Sequence, residues 1–162
     1  MQIRYLLFAA AILLIGCQPS GSDEITGTEI LWDEWGVPHI YSDNNEDMMY
    51  AYGWAQMHNH ANVILELMAT SRGQAAEFFG PSRLQNDQLV HSLRIPEKAE
   101  TYLQQQPADM QAMFTAFAKG LNDYAAAHPE AIKETHRTIL PVQPKDLLGH
   151  TLFVVGTRFV GG

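Results

Sequence analysis

His58 and His60 stand two residues apart, Asp33 and Glu34 are adjacent carboxylates, and Cys17 is the only cysteine among 162 residues. Imidazole, carboxylate and thiol are the groups that hold zinc or drive acid–base and nucleophilic chemistry. Their spacing gathers them into no ligand set. Residues two apart face different sides of a helix and share a face only in a strand. No cysteine or nearby carboxylate completes a site with the two histidines. Asp33-Glu34 lies in the corner Asp33-Glu34-Trp35-Gly36, where turn formation accounts for the pair. No metal and no cofactor is expected from these residues.

The elements that would position such groups begin after a leader. Arg4 precedes an eleven-residue apolar run, Tyr5 to Ile15, too short for the roughly twenty residues a helix needs to cross a bilayer. That is the pattern of a signal peptide over residues 1–16. The run closes on Leu14-Ile15-Gly16-Cys17, which resembles the bacterial lipobox; the alternative is a free thiol beside an ordinary signal sequence. The lipobox implies a lipidated Cys17, then a Ser-, Pro- and Gly-bearing tether to residue 27. It also implies a place on the periplasmic side of a bacterial membrane, with Gln18 favouring the outer one. Two or three acyl chains, at about 0.8 kcal/mol per buried CH₂, hold a protein there without a spanning helix.

The chain has ten basic and eighteen acidic residues, a formal net charge of -8. Between Cys17 and Ser71 there are nine acidic residues and no basic one. Such a surface repels phosphate backbones, so nucleic acid is not an expected partner.

The folded part reads as mostly helical with a short N-terminal hairpin. Thr28 to Trp32 and Val37 to Tyr41 flank the Asp-Glu-Trp-Gly corner, with Gly36 supplying a positive φ. Pro38 lacks a backbone donor, which puts the second strand at an edge or makes Pro38 its first residue. Asp43-Asn44 offers a helix cap and Asp47 a charge in the first turn. Met48, Ala51, Tyr52 and Ala55 share one helical face. Gly53 interrupts that helix at a cost of about 1 kcal/mol against Ala, so close packing is its expected use. A second helical segment is expected from Asn59 to Thr70, carrying Val63, Ile64, Leu67 and Met68, with Gly73 and Gly80 at helix ends. Pro81 to Asp87 reads as turn, and Leu89 to Ile95 as either helix or strand. Pro96 opens a helix with Ala99, Tyr102 and Leu103. Pro107 starts a long one whose stripe of Met110, Met113, Phe114, Phe117, Ala118, Leu121, Tyr124 and Ala125 ends at Pro129. A last helix, from Pro144 through Leu147, Leu148, Leu152, Phe153, Val154 and Val155, is apolar nearly all round and must be buried or meet a partner.

Asp33-Glu34-Trp35-Gly36-Val37-Pro38-His39-Ile40 resembles the D-E-x-G-x-P-H-I signature opening the α chain of penicillin acylases and acyl-homoserine-lactone acylases. Tyr52-Gly53-Trp54-Ala55-Gln56, Arg72-Gly73, Phe79-Gly80 and the segment Lys119 to Tyr124 are similar to family segments in the same order. This resemblance implies an N-terminal-nucleophile hydrolase, a partial piece of an αββα fold. Residues 28–162 would then be an incomplete α-chain domain. The nucleophile would be the first Ser of a separate β chain, whose own α-amino group, with a pKa near 7.7–8.0, serves as base. The implied partners are that β chain and an acylated small molecule, an acyl-homoserine lactone or a penicillin-type amide. No catalytic residue is expected in these residues themselves. Val154, Val155, Arg158 and Phe159 are the candidates for one wall of the acyl pocket, and calcium, found in some members, takes its ligands largely from the other chain. His39 is expected to hydrogen-bond structurally. Asn59 and His91 stand where many members carry an acid and an Arg, which suggests an internal ion pair lost on both sides. The competing class is a non-catalytic helical lipoprotein that binds or scaffolds.

Overall fold

The structure is a computed structural model and describes residues 27–160; the leader, Cys17 and most of the tether lie outside them. Among the described residues the hairpin β1 (Glu29–Trp32) and β2 (Pro38–Tyr41) is followed by helices, as the patterning implied. Asp33 builds the corner. Its Oδ1 accepts from the amides of Trp35 and Val37, both at 2.9 Å, while its Oδ2 meets His39 Nε2 at 3.3 Å. The Val37 amide bond, first among the causes, holds the Asp33 carboxyl below its usual range. Gly36 takes φ +74°, which a side chain resists. Pro38 is the first residue of β2 and pairs with Trp32.

Helix α1 (Asn45–Arg72) starts on the Asn44 side chain, which accepts from Asp47 N at 2.9 Å. It ends on Gly73 at φ +71°, where Gln74 N bonds Ala69 O and Gly73 N bonds Thr70 O, the Schellman pattern. The two helical segments expected here are therefore one helix, kinked at His60 (φ −138°, ψ 24°). Then come α2 (Ala75–Phe79), a 3₁₀ turn at Pro81–Arg83, α3 (Leu84–Ser92), α4 (Ile95–Gln104) and α5 (Ala108–Ala127). The chain continues through α6 (Glu134–Arg137) to α7 (Pro144–Val155), which changes to π-helical winding over Gly156–Val160. None of the described helices is long and apolar enough to cross a membrane.

The stretch expected as turn from Pro81 to Asp87 is turn only at its start. Asp87 sits buried inside α3 and reaches back to accept from the amides of Ala75 (3.0 Å) and Ala76 (2.7 Å), so it caps α2 from another helix. Its polarity serves a distant helix end and not a local turn.

Helices α1 and α5 cross backbone to backbone. A Cβ on Gly53 would lie 2.2 Å from Phe117 O, and one on Gly120 would lie 2.0 Å from Tyr50 O. Around that crossing the core gathers Met57, Leu65, Leu121 and Tyr124, closed by Ile132, Ile139 and Val142 from the α5–α7 connection. Two expected core faces come out differently. Met48 and Tyr52 sit at the edge while Ala51 and Ala55 are buried, and Val63 is 59% exposed while Leu65 and Ala69 are fully covered. Apolar residues lie almost all round α1, so periodicity could not say which side meets α5.

Candidate functional site

Helix α7 carries Val154 and Val155, the π-helical turn after it carries Arg158 and Phe159, and the base of α7 is fixed by charge. Arg72, in the last turn of α1, sends Nε and Nη2 to the two Asp146 oxygens at 3.1 and 2.5 Å. The same guanidinium donates to Ile139 O at 2.7 Å and Pro141 O at 2.9 Å. Asp146 Oδ2 also accepts from Gln143 N at 2.6 Å, completing a capping box at the start of α7. One buried carboxylate thus starts the helix and ties it to α1. Nothing in the sequence announced this pair beyond the cap-like Gln143-Pro144-Lys145-Asp146.

At the other end, Val154 is half-buried, whereas Val155, Arg158 and Phe159 point out, Phe159 with 79% of its surface exposed. Gly156 passes within contact of Leu93 Cδ1, at 3.7 Å from an added Cβ. The Thr157 hydroxyl donates to Phe153 O at 2.7 Å across the π-helical turn, a winding often found beside functional sites. The structure therefore collects the four residues on one apolar helix end.

Three of the serines in the described chain are held by backbone hydrogen bonds. Ser71 is buried and donates to Met68 O at 3.2 Å, Ser92 to Gln88 O at 2.7 Å, and Ser42 to Asn44 O at 3.0 Å. None of these hydroxyls has an imidazole or amine partner, the minimum for an activated nucleophile. His58 stacks on Trp32 with ring centroids 4.5 Å apart, and no group of three or more potential metal-binding side chains occurs among the described residues. The suggested lost ion pair is not one site. Asn59 donates to Gly36 O in the hairpin corner at 3.4 Å, whereas His91 meets Gly73 O at 3.0 Å. Those two contacts lie fourteen positions apart along α1, about 21 Å at the helical rise. Because Asn59 is exposed, an Asp in its place would bury no charge, and its introduction should leave stability nearly unchanged.

One buried and one half-buried imidazole, His136 and His150, give the fold an acid limit. His136 is held below the usual 6.5 by burial and then by Lys133, against a smaller opposing pull from Glu66. His150 on α7 is lowered by burial alone, and its Nδ1 has no hydrogen-bond partner. Both stay neutral in the fold and take up protons on unfolding. The unfolded chain therefore binds more protons below about pH 6.5, so stability holds above that pH and is lost as pH falls towards the lower folded values. His150→Phe should flatten part of that loss, read as Tm against pH from about 7 to about 5; an unchanged slope overturns the assignment.

Comparison with known proteins places this geometry. The family model described as Penicillin amidase matches residues 27–154, so Val155, Arg158 and Phe159 lie just past the match. Acyl-homoserine lactone acylase PvdQ of Pseudomonas putida is 26% identical over 148 residues, 85% of this chain and 18% of that protein. The Pseudomonas fluorescens PvdQ is 27% identical over 109 residues, 62% of this chain and 14% of its own. A thermostable penicillin G acylase from Alcaligenes faecalis superposes with TM-score 0.73 at 20% identity, covering 86% of this chain and 77% of the matched one. At that identity the likeness is one of fold. The chain thus spans less than a fifth of the curated relatives it matches. With the family match running from just before the hairpin into α7, the chain belongs to the penicillin amidase family.

Proposed function

We propose that this chain is the α-chain portion of a lipid-anchored amidohydrolase that cleaves the amide of N-acylated small molecules. The observation that carries the reading is the family match over residues 27–154. The likeness to the Pseudomonas acyl-homoserine lactone acylases favours acyl-homoserine lactones as substrate over penicillin-type amides. In this reading the acyl group passes to a Ser that opens a β chain and then to water. The Ser hydroxyl attacks the amide carbonyl, its α-amino group takes the proton, and the freed amine leaves with that proton. Val154, Val155, Arg158 and Phe159 contribute an apolar wall for the acyl chain, which suits their place on an uncovered helix end. Cys17 carries the lipid and keeps the enzyme on the periplasmic side, at the outer membrane.

The test is expression of the complete open reading frame from its native start. The expected result is a product cut into two chains, the second beginning with Ser, that releases free homoserine lactone from its N-acyl derivatives. Phe159→Ala should change the preferred acyl length by about tenfold in relative kcat/KM, as deletion of a pocket contact worth roughly 1–3 kcal/mol does. A single uncut chain that hydrolyses neither amide class would replace this reading with the binding or scaffolding lipoprotein.

A further inference from the structure

The hairpin is an unfinished sheet. Its antiparallel register pairs Glu29 with Tyr41, Ile30 with Ile40, Leu31 with His39 and Trp32 with Pro38. Asp33 N bonds Val37 O across the corner at 3.2 Å, and antiparallel ladders alternate between bonded and non-bonded pairs from there. Leu31/His39 and Glu29/Tyr41 are therefore the inward-bonding pairs, and Ile30, Trp32, Pro38 and Ile40 turn their backbone groups outward. The outer edge of β1 presents complete N–H and C=O groups at Ile30 and Trp32. The outer edge of β2 presents them at Ile40 only, because Pro38 has no N–H. No described residue accepts from the amide of Ile30 or Trp32.

The two faces differ as well. Ile30, Pro38 and Ile40 are part-covered on the side where Trp32 meets His58 of α1, whereas Leu31, His39 and Tyr41 on the other side are exposed. A two-stranded ribbon is at best marginally stable by itself in water. One with a helix on one face, apolar residues bare on the other and an open edge is built to be enlarged.

We infer that the β1 edge receives an extended strand from the remainder of this protein's own polypeptide, and that the β2 edge does not. The inference rests on the two-chain reading above. The relatives supply the source, since more than four-fifths of their length lies outside the matched part. The incoming strand bonds Ile30 and Trp32 and lays alternate apolar side chains beside Leu31. Its flanks carry Lys or Arg, because Glu29, Glu34 and the rest of the segment to Ser71 offer acidic charge with no basic residue.

Amide hydrogen exchange on the complete, processed protein tests it. The Ile30 and Trp32 amides should exchange at least about 100-fold more slowly than the Ile40 amide. The reverse order, or fast exchange at all three, overturns the inference. Two variants provide a second readout by co-purification of the two chains. Ile30→Pro removes an outward donor of β1 and should abolish association. Ile40→Pro removes the same side chain from the same face but a donor of the other edge, and should retain it; equal loss in both overturns the edge assignment. Hydrolysis of acyl-homoserine lactone by the same preparation separates the two ideas. Slow exchange without hydrolysis leaves the sheet and removes the activity, and hydrolysis with fast exchange does the opposite.

Discussion

Gly120→Ala will destabilise the protein by about 3 kcal/mol, the upper range for overpacking a core, although it places a better helix former in a helix. Alanine gains roughly 1 kcal/mol over glycine in helix propensity. Against that gain stands a methyl group 2.0 Å from Tyr50 O and 2.9 Å from Trp54 N, both backbone atoms that cannot swing aside. Helices α1 and α5 must part, and the packing around Leu121 and Tyr124 loosens with them. The existing hydrogen at that position points towards the carbonyl oxygen, so a weak Cα–H···O contact is lost too. Gly53→Ala should behave alike, its methyl meeting Phe117 O at 2.2 Å. Combining the two should cost less than the sum, because the first change has already opened the crossing. Urea unfolding of the single and double variants decides it. A Gly120→Ala protein as stable as the parent would mean that the helices do not cross this closely.

Asp146→Ala is the second large effect, expected at about 3–5 kcal/mol, the range for stranding one partner of a buried ion pair. The Asp146 side chain is 4% exposed and the Arg72 side chain 19%. Truncation leaves the guanidinium facing a hole, with only Ile139 O and Pro141 O to satisfy it. The cap of α7 is lost in the same stroke, since Gln143 N bonds Asp146. Replacing both partners, as Arg72→Met with Asp146→Leu, should recover much of the stability, because no charge is then abandoned. A double-mutant cycle followed by thermal unfolding measures the coupling, and a coupling near zero would refute the account. In the two-chain enzyme proposed above, Asp146→Ala should also raise KM, because the base of the proposed acyl wall comes loose.

Local chemistry was legible in the sequence where one residue type has one physical use. The Asp33 corner, Gly36, Pro38 at the head of its strand and the Asn44 cap follow from backbone demands that few residues meet. Gly53 was readable as a packing notch because a mid-helix glycine needs a reason. Gly120 makes the same demand inside α5, but nothing local to either glycine says that the two helices cross there, with Tyr50 over Gly120 and Phe117 over Gly53. The same limit hid Arg72 and Asp146, which meet across 74 positions, and Asp87, whose polarity answers to α2. The pocket candidates on α7 followed from family likeness. The structure places them along the end of α7 and the π-helical turn that follows it, with Val155, Arg158 and Phe159 exposed.

The α1–α5 crossing also sets an order of events during synthesis. Phe117 is made some sixty residues after Gly53, several seconds later at roughly 5–20 residues per second. During that wait α1 has no mate, and the hairpin made just before it is the first cover for its flank.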